Sequence, residues 1–240
     1  MHHHRDDRHR RPLWHELAER FADERHCLAA FLALENAEVL EESKPANLLN
    51  VPNHRRPCGR NLYQLWKRHG AALVEQSPLA VRELVDRGDS LLLFFYHPQT
   101  LSALLAKANV AGFLRQVGYP RPLAVDCALD ELGSRFTARK CPHEVGVFLG
   151  YPLKDVAGFM GWVDLPMTIQ GPWKIYGNPG QSLALADDFL ICRRRMAQRL
   201  SGGGAAAIAC LRADISVEPP RRAGRTDVQG DMDESLLASA

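Results

Sequence analysis

No stretch of the 240 residues approaches the roughly 18 uninterrupted apolar residues that span a bilayer, and the opening residues are His- and Arg-rich where a secretory leader would be apolar. A cytoplasmic protein with no membrane association is expected. Neither charge dominates: 30 Lys+Arg stand against 28 Asp+Glu, a net charge of +2, so nucleic acid is not predicted as a partner. The six cysteines are scattered, with no C-x-x-C and no close pairing, which favours reduced thiols over a disulfide framework or a structural zinc site. Catalytic signatures are equally scarce. There is no G-x-S-x-G elbow, and His143-Glu144 is not the H-E-x-x-H zinc motif, because Val147 stands where the second histidine is needed. No G-x-G-x-x-G turn precedes a helix, so nucleotide binding by a standard phosphate loop is not expected. Internal repeats are absent too.

What remains is an ordinary globular composition, 46% hydrophobic and 24% charged, enough to bury a core. One domain is expected over residues 13–212, between disordered polar tails at 1–12 and 213–240. His2-His3-His4 in the first tail reads as a tag remnant or solvated tail, since imidazoles on a flexible chain bind metals only loosely. Helical periodicity starts near Trp14 and runs to about Leu40, with Glu35, Glu38, Glu41 and Glu42 at its end, where they oppose the helix dipole. Lys44-Pro45 predicts a break, and Ala46 to Leu49 a short turn. A helix is expected over Asn61–Val74 and another from Ser77-Pro78 to about Arg87, with Ser77 as its N-cap. Leu91–Tyr96, six apolar or aromatic residues between Gly-Asp and His-Pro, is the clearest strand and should be central in its sheet. Helices follow over Gln99–Val117, Leu123–Phe136 and Gln181–Leu200, the last with Arg193, Arg194, Arg195 and Arg199 near its C-terminus, where the dipole favours cations. Ala205 to Leu211 predicts one more strand or helix. The class is α/β: a small three- to four-stranded sheet flanked by helices, with a helical N-terminal third packed on it.

The densest stretch is His143–Gly177. Val145, Val147 and Leu149 alternate with Gly146, Phe148 and Gly150, which predicts a buried strand. Tyr151-Pro152 breaks it, and Leu153, Val156, Ala157 and Met160 recur at helical spacing behind a proline suited to a helix start. A second strand is expected over Trp173–Tyr176, with Lys174 and Tyr176 on one face and Trp173 and Ile175 on the other.

Three segments, KPANLL at 44–49, PHEVGVFLGYPLKDVAGF at 142–159 and GPWKIYGNPGQS at 171–182, followed by Cys192-Arg193, resemble the bacterial domain-of-unknown-function family 3793 over roughly residues 30–200. The family is expected to carry Cys-Ala-Pro shortly before the Lys-Pro; here Asn36-Ala37-Glu38 stands in its place. The resemblance implies a soluble protein, mostly of anaerobic bacteria, with no established activity and an association with iron uptake and flavodoxins.

The candidate site is Lys44, His143, Glu144, Lys174 and Tyr176, donors of both charge types that could converge at one sheet end. Two readings follow. In the first the chain is an accessory protein that binds a small molecule, metal or cofactor, linked to iron or redox metabolism. In the second it is an enzyme in which His143 or Glu144 acts as general base while Lys174 and Tyr176 stabilise negative charge. A structural alternative pairs Glu144 with a lysine such as Lys174. Cys141-Pro142 also resembles a haem-responsive Cys-Pro pair, although a dipeptide is a weak signal. The sequence names no cofactor and predicts no metal site, and it is compatible with a protein partner.

Overall fold

Hydrogen bonding of the apolar run at Leu91–Tyr96 accounts for the larger of two sheets in the computed structural model, which describes residues 10–136 and 141–213. Nearly all of both expected tails falls outside the described residues. The chain divides into two compact units, the first described over residues 10–101 and 187–213, the second over 102–136 and 141–186.

In the first unit, two 3-10 turns at Trp14–Glu16 and Ala18–Arg20 precede α1 (Glu24–Glu35) and the single turn α2 (Ala37–Leu40). Asp23 caps α1 by accepting the His26 N–H at 2.8 Å. Next come β1 (Ala46–Pro52), α3 (Leu62–Val74) capped by Asn61, β2 (Ala80–Asp86) and β3 (Ser90–Tyr96). The sheet is antiparallel in the order β1-β3-β2, so β3 is central as expected. Its residues Leu91 to Phe95 are buried on both faces, and Trp66 of α3 meets Phe95 edge-on at 5.5 Å.

Two expectations fail here for one reason. Ala46 to Leu49 is strand β1, not a turn, and the segment after Ser77-Pro78 is strand β2, not a helix. Both lie beside β3, whose two rows of backbone donors and acceptors must be paired once it is buried, and that demand overrides local propensity. Ser77 serves a turn instead of a helix cap: its hydroxyl donates to Val74 O and accepts the Leu79 N–H. Gly88-Asp89 does end the preceding element, as a hairpin turn in which Asp86 accepts the Gly88 N–H.

The expected helix at Gln99–Val117 is two, α4 (Pro98–Leu105) and α5 (Ala108–Val117). The second unit continues with α6 (Val125–Arg135), the one-turn α7 (Val145–Phe148) and α8 (Leu153–Met160). A two-stranded antiparallel sheet follows, β4 (Met167–Gln170) with β5 (Lys174–Tyr176). α9 (Gly180–Leu200) begins in this unit and ends in the first, which also holds α10 (Gly204–Arg212). Among the described residues no helix is long and apolar enough to cross a membrane.

The predicted strand at 145–150 is a helical turn. Val145 N bonds Pro142 O, Val147 N bonds Glu144 O, and Leu149 N bonds Val145 O. Residues 145–149 are all buried, so apolar side chains are needed on every side, and a period of two carries no information where both faces are apolar. Gly150, at φ +76°, then closes the turn in a conformation that favours glycine.

Candidate functional site

α8 and β5 face each other closely because Gly158 has no side chain. A Cβ there would lie 2.6 Å from Cγ of Tyr176, so a larger residue would force the strand away from the helix. Gly146 gives α7 similar room: a Cβ would sit 3.0 Å from Val156 and 3.3 Å from Tyr151. Between these elements lies an open pocket of about 530 Å³. Its volume falls within the roughly 300–1,000 Å³ usual for small-molecule sites.

The wall is largely aromatic. Tyr151 stacks on Trp173 with ring centroids 4.4 Å apart and planes inclined by 17°. Phe159, 43% exposed, stands at the pocket with the His143 ring edge-on to it at 4.8 Å and the Lys174 ammonium 5.3 Å from its centroid. Val156 and the exposed Cys141 also contribute. Although the residue is exposed, partial desolvation of its thiol and the nearby Glu144 carboxylate push it above the usual thiol range, which argues against a thiolate at neutral pH.

One carboxylate lines the pocket, Asp155, and it is almost completely buried. Its Oδ1 accepts from Lys154 Nζ at 2.7 Å and from Tyr176 N at 2.9 Å. Its Oδ2 accepts from Trp173 Nε1 at 2.8 Å and from the Ser182 hydroxyl at 2.6 Å. Lys154 also donates to Tyr176 O and Ser182 Oγ. Four donors on one carboxylate satisfy a group that would otherwise be costly to bury, and they fix the indole that forms part of the pocket wall.

The five sequence-predicted residues therefore separate. His143 and Lys174 meet at the pocket, both against Phe159. Glu144 points elsewhere: its Oε1 accepts from Arg135 Nη1 and from Tyr119 OH, each at 3.3 Å, while the Arg135 guanidinium lies 4.5 Å over the Tyr119 ring. The Glu144–Lys174 pairing considered from sequence is not formed. Burial and Glu144 hold the Tyr119 hydroxyl well above the usual tyrosine range, so it stays a donor. Tyr176 supplies backbone to Asp155 and Lys154, and its ring covers Gly158. Lys44 is buried in the first unit, donating to Asn47 Oδ1 at 2.7 Å with its ammonium 5.2 Å over Phe189. Burial lowers its pKa to about 8 against the opposing charge of Glu38.

Sequence reasoning passed over Tyr151, Asp155 and Phe159. The one signal for them was an acid inside the apolar face of α8, which a buried helix does not carry without partners. Among the described residues no group of three or more His, Cys, Asp or Glu side chains is placed to hold a metal ion.

No curated protein and no solved structure matches the chain. The profile of a family described as protein of unknown function, DUF3793, matches residues 32–209, from the last turn of α1 to the middle of α10, and the chain belongs to that family.

Proposed function

We propose that the chain is a small-molecule-binding accessory protein whose site is the pocket between α7, α8 and β5. The observation that carries this reading is the pocket itself, about 530 Å³ with an aromatic wall and only a few polar groups, the composition by which proteins hold organic ligands. Its framework is preorganised. Asp155 fixes Trp173, Gly158 admits Tyr176, and the Arg135–Glu144–Tyr119 cluster anchors the turn that carries His143. Binding is favoured over catalysis because Glu144, one of the two general bases of the alternative, is held by two donors and does not line the pocket, while His143, the other, lines it but has among the described residues no carboxylate or side-chain hydrogen bond to orient its ring. A metabolite or organic cofactor is the ligand class that such a wall suits, and a redox-active compound would carry the link to iron or redox metabolism implied by the family resemblance.

Native mass spectrometry of protein purified anaerobically, without residues 1–11, tests the reading. The expected result is a retained organic mass at one equivalent that is lost or weakened in Phe159→Ala. Phe159 is exposed enough for that change to leave the fold intact. Absence of any retained mass, or a mass indifferent to Phe159→Ala and His143→Ala alike, would contradict it.

A further inference from the structure

The geometry points to a flat, conjugated, anionic molecule as the pocket's ligand, its rings against the aromatic wall and its negative group at Lys174 and His143. This rests on the reading of the pocket as a small-molecule site and adds the chemistry of the occupant.

Asp155 adds no free negative charge to the pocket. Both of its oxygens already accept two donors each, and Lys154 is among them, so the only carboxylate among the described lining residues is neutralised where it stands. Lys174 and His143 have no such partner. Among the described residues neither side chain has a carboxylate within ion-pair distance or a hydrogen bond, and each lies against the Phe159 ring, about 5 Å from its centroid. An ammonium without a counter-ion beside an apolar concavity favours an anion, since the low-dielectric wall strengthens the attraction. A cationic ligand would be repelled, and a neutral apolar one would strip water from Lys174 without replacing it.

Flatness follows from the wall. Tyr151, Trp173 and Phe159 all line it, and an aromatic wall favours offset-stacked or edge-on rings in a ligand over branched aliphatic chains. A polyol is a poor fit for a different reason: it needs many convergent hydrogen-bonding side chains, and the strongest acceptor here, Asp155, is saturated.

The test uses three probes on the full chain by isothermal titration: 1-naphthoate, the isosteric neutral 1-naphthamide, and octanoate, an anion of similar apolar content without a ring. Naphthoate is expected to bind on the order of 10-fold more tightly than either of the others, as one charge-assisted contact and one stacking surface would give. Lys174→Met should abolish the preference, so that naphthoate and naphthamide bind alike, while Lys174→Arg keeps it. Lys174 is exposed, so neither variant threatens folding. Equal binding of naphthoate and naphthamide overturns the anion, and equal binding of naphthoate and octanoate overturns the ring; in both cases the pocket still binds and the proposed function stands. Binding of none of the three at millimolar concentration overturns the ligand class, and the retained-mass measurement then decides the pocket's role separately.

Discussion

Asp155 and Arg193 show how single side chains hold this protein together where composition alone gives no hint. Asp155→Asn keeps the shape but exchanges an acceptor-only carboxylate for an amide, so at least one of Trp173 Nε1, Ser182 Oγ and Lys154 Nζ loses its partner. A loss of about 2–4 kcal/mol in urea denaturation is expected, with a red shift of tryptophan emission as the indole is released. Arg193 is buried and bidentate to Glu35, with Nη2 at 2.6 Å and Nη1 at 3.0 Å, and it also donates to Leu34 O and Pro12 O. Arg193→Met leaves Glu35 only the longer contact to the exposed Arg11, at 3.7 Å, and should cost about 3–5 kcal/mol. Two charge clusters that sequence reading treated apart thus answer each other: Glu35 pairs with Arg193, and Glu41 with Arg195 and Arg199. The spacing along the chain could not reveal this, because the partners lie more than 150 positions apart. Lys44 gives a pH test. A lysine whose folded pKa is about 8 against an ordinary 10.5 penalises the fold fully below about pH 8, and the penalty is relieved as pH rises from about 8 to 10.5. The stability of the wild type relative to Lys44→Met should therefore rise across that window in urea titrations.

At the level of elements, the second unit depends on how closely α8 and β5 approach. Gly158→Ala would place a methyl 2.6 Å from the Tyr176 ring, with a cost of about 1–3 kcal/mol in thermal or urea unfolding and weaker ligand binding as the pocket wall shifts. What sequence reading captured at this scale is what local periodicity carries. α3, α8, α9, β3 and β5 are all found close to their predicted limits, because caps, prolines and a two- or 3.6-residue period mark them. β1 and β2 were hidden because only their pairing with β3 makes them strands. α7 was hidden because residues 145–149 are buried on every side, which leaves no polar face to set a period. The site suffered accordingly: reading α7 as a strand set His143 and Glu144 beside β5 in one sheet, whereas the pocket lies between a helical turn, a helix and a strand.

For the molecule as a whole, the α/β class and the family were legible, and the chemistry was legible only in part. Two small antiparallel sheets flanked by helices fit the predicted class, while their division between two units depends on long-range contacts that no local pattern encodes. Net charge near balance carried no information about the pocket, where Asp155 is ion-paired to Lys154 and, among the described residues, Lys174 has no carboxylate partner. Cys141 offers the most direct check, because it lines the pocket, while Cys127 is exposed on α6 and does not. The measurement is the alkylation rate of each thiol by peptide mass spectrometry, at about pH 8.5 so that both react, with and without the retained ligand or a bound probe. The pocket account predicts that ligand protects Cys141 and leaves Cys127 unchanged. Equal rates at Cys141 with and without ligand, under conditions where binding is saturated, would place the ligand elsewhere and contradict it.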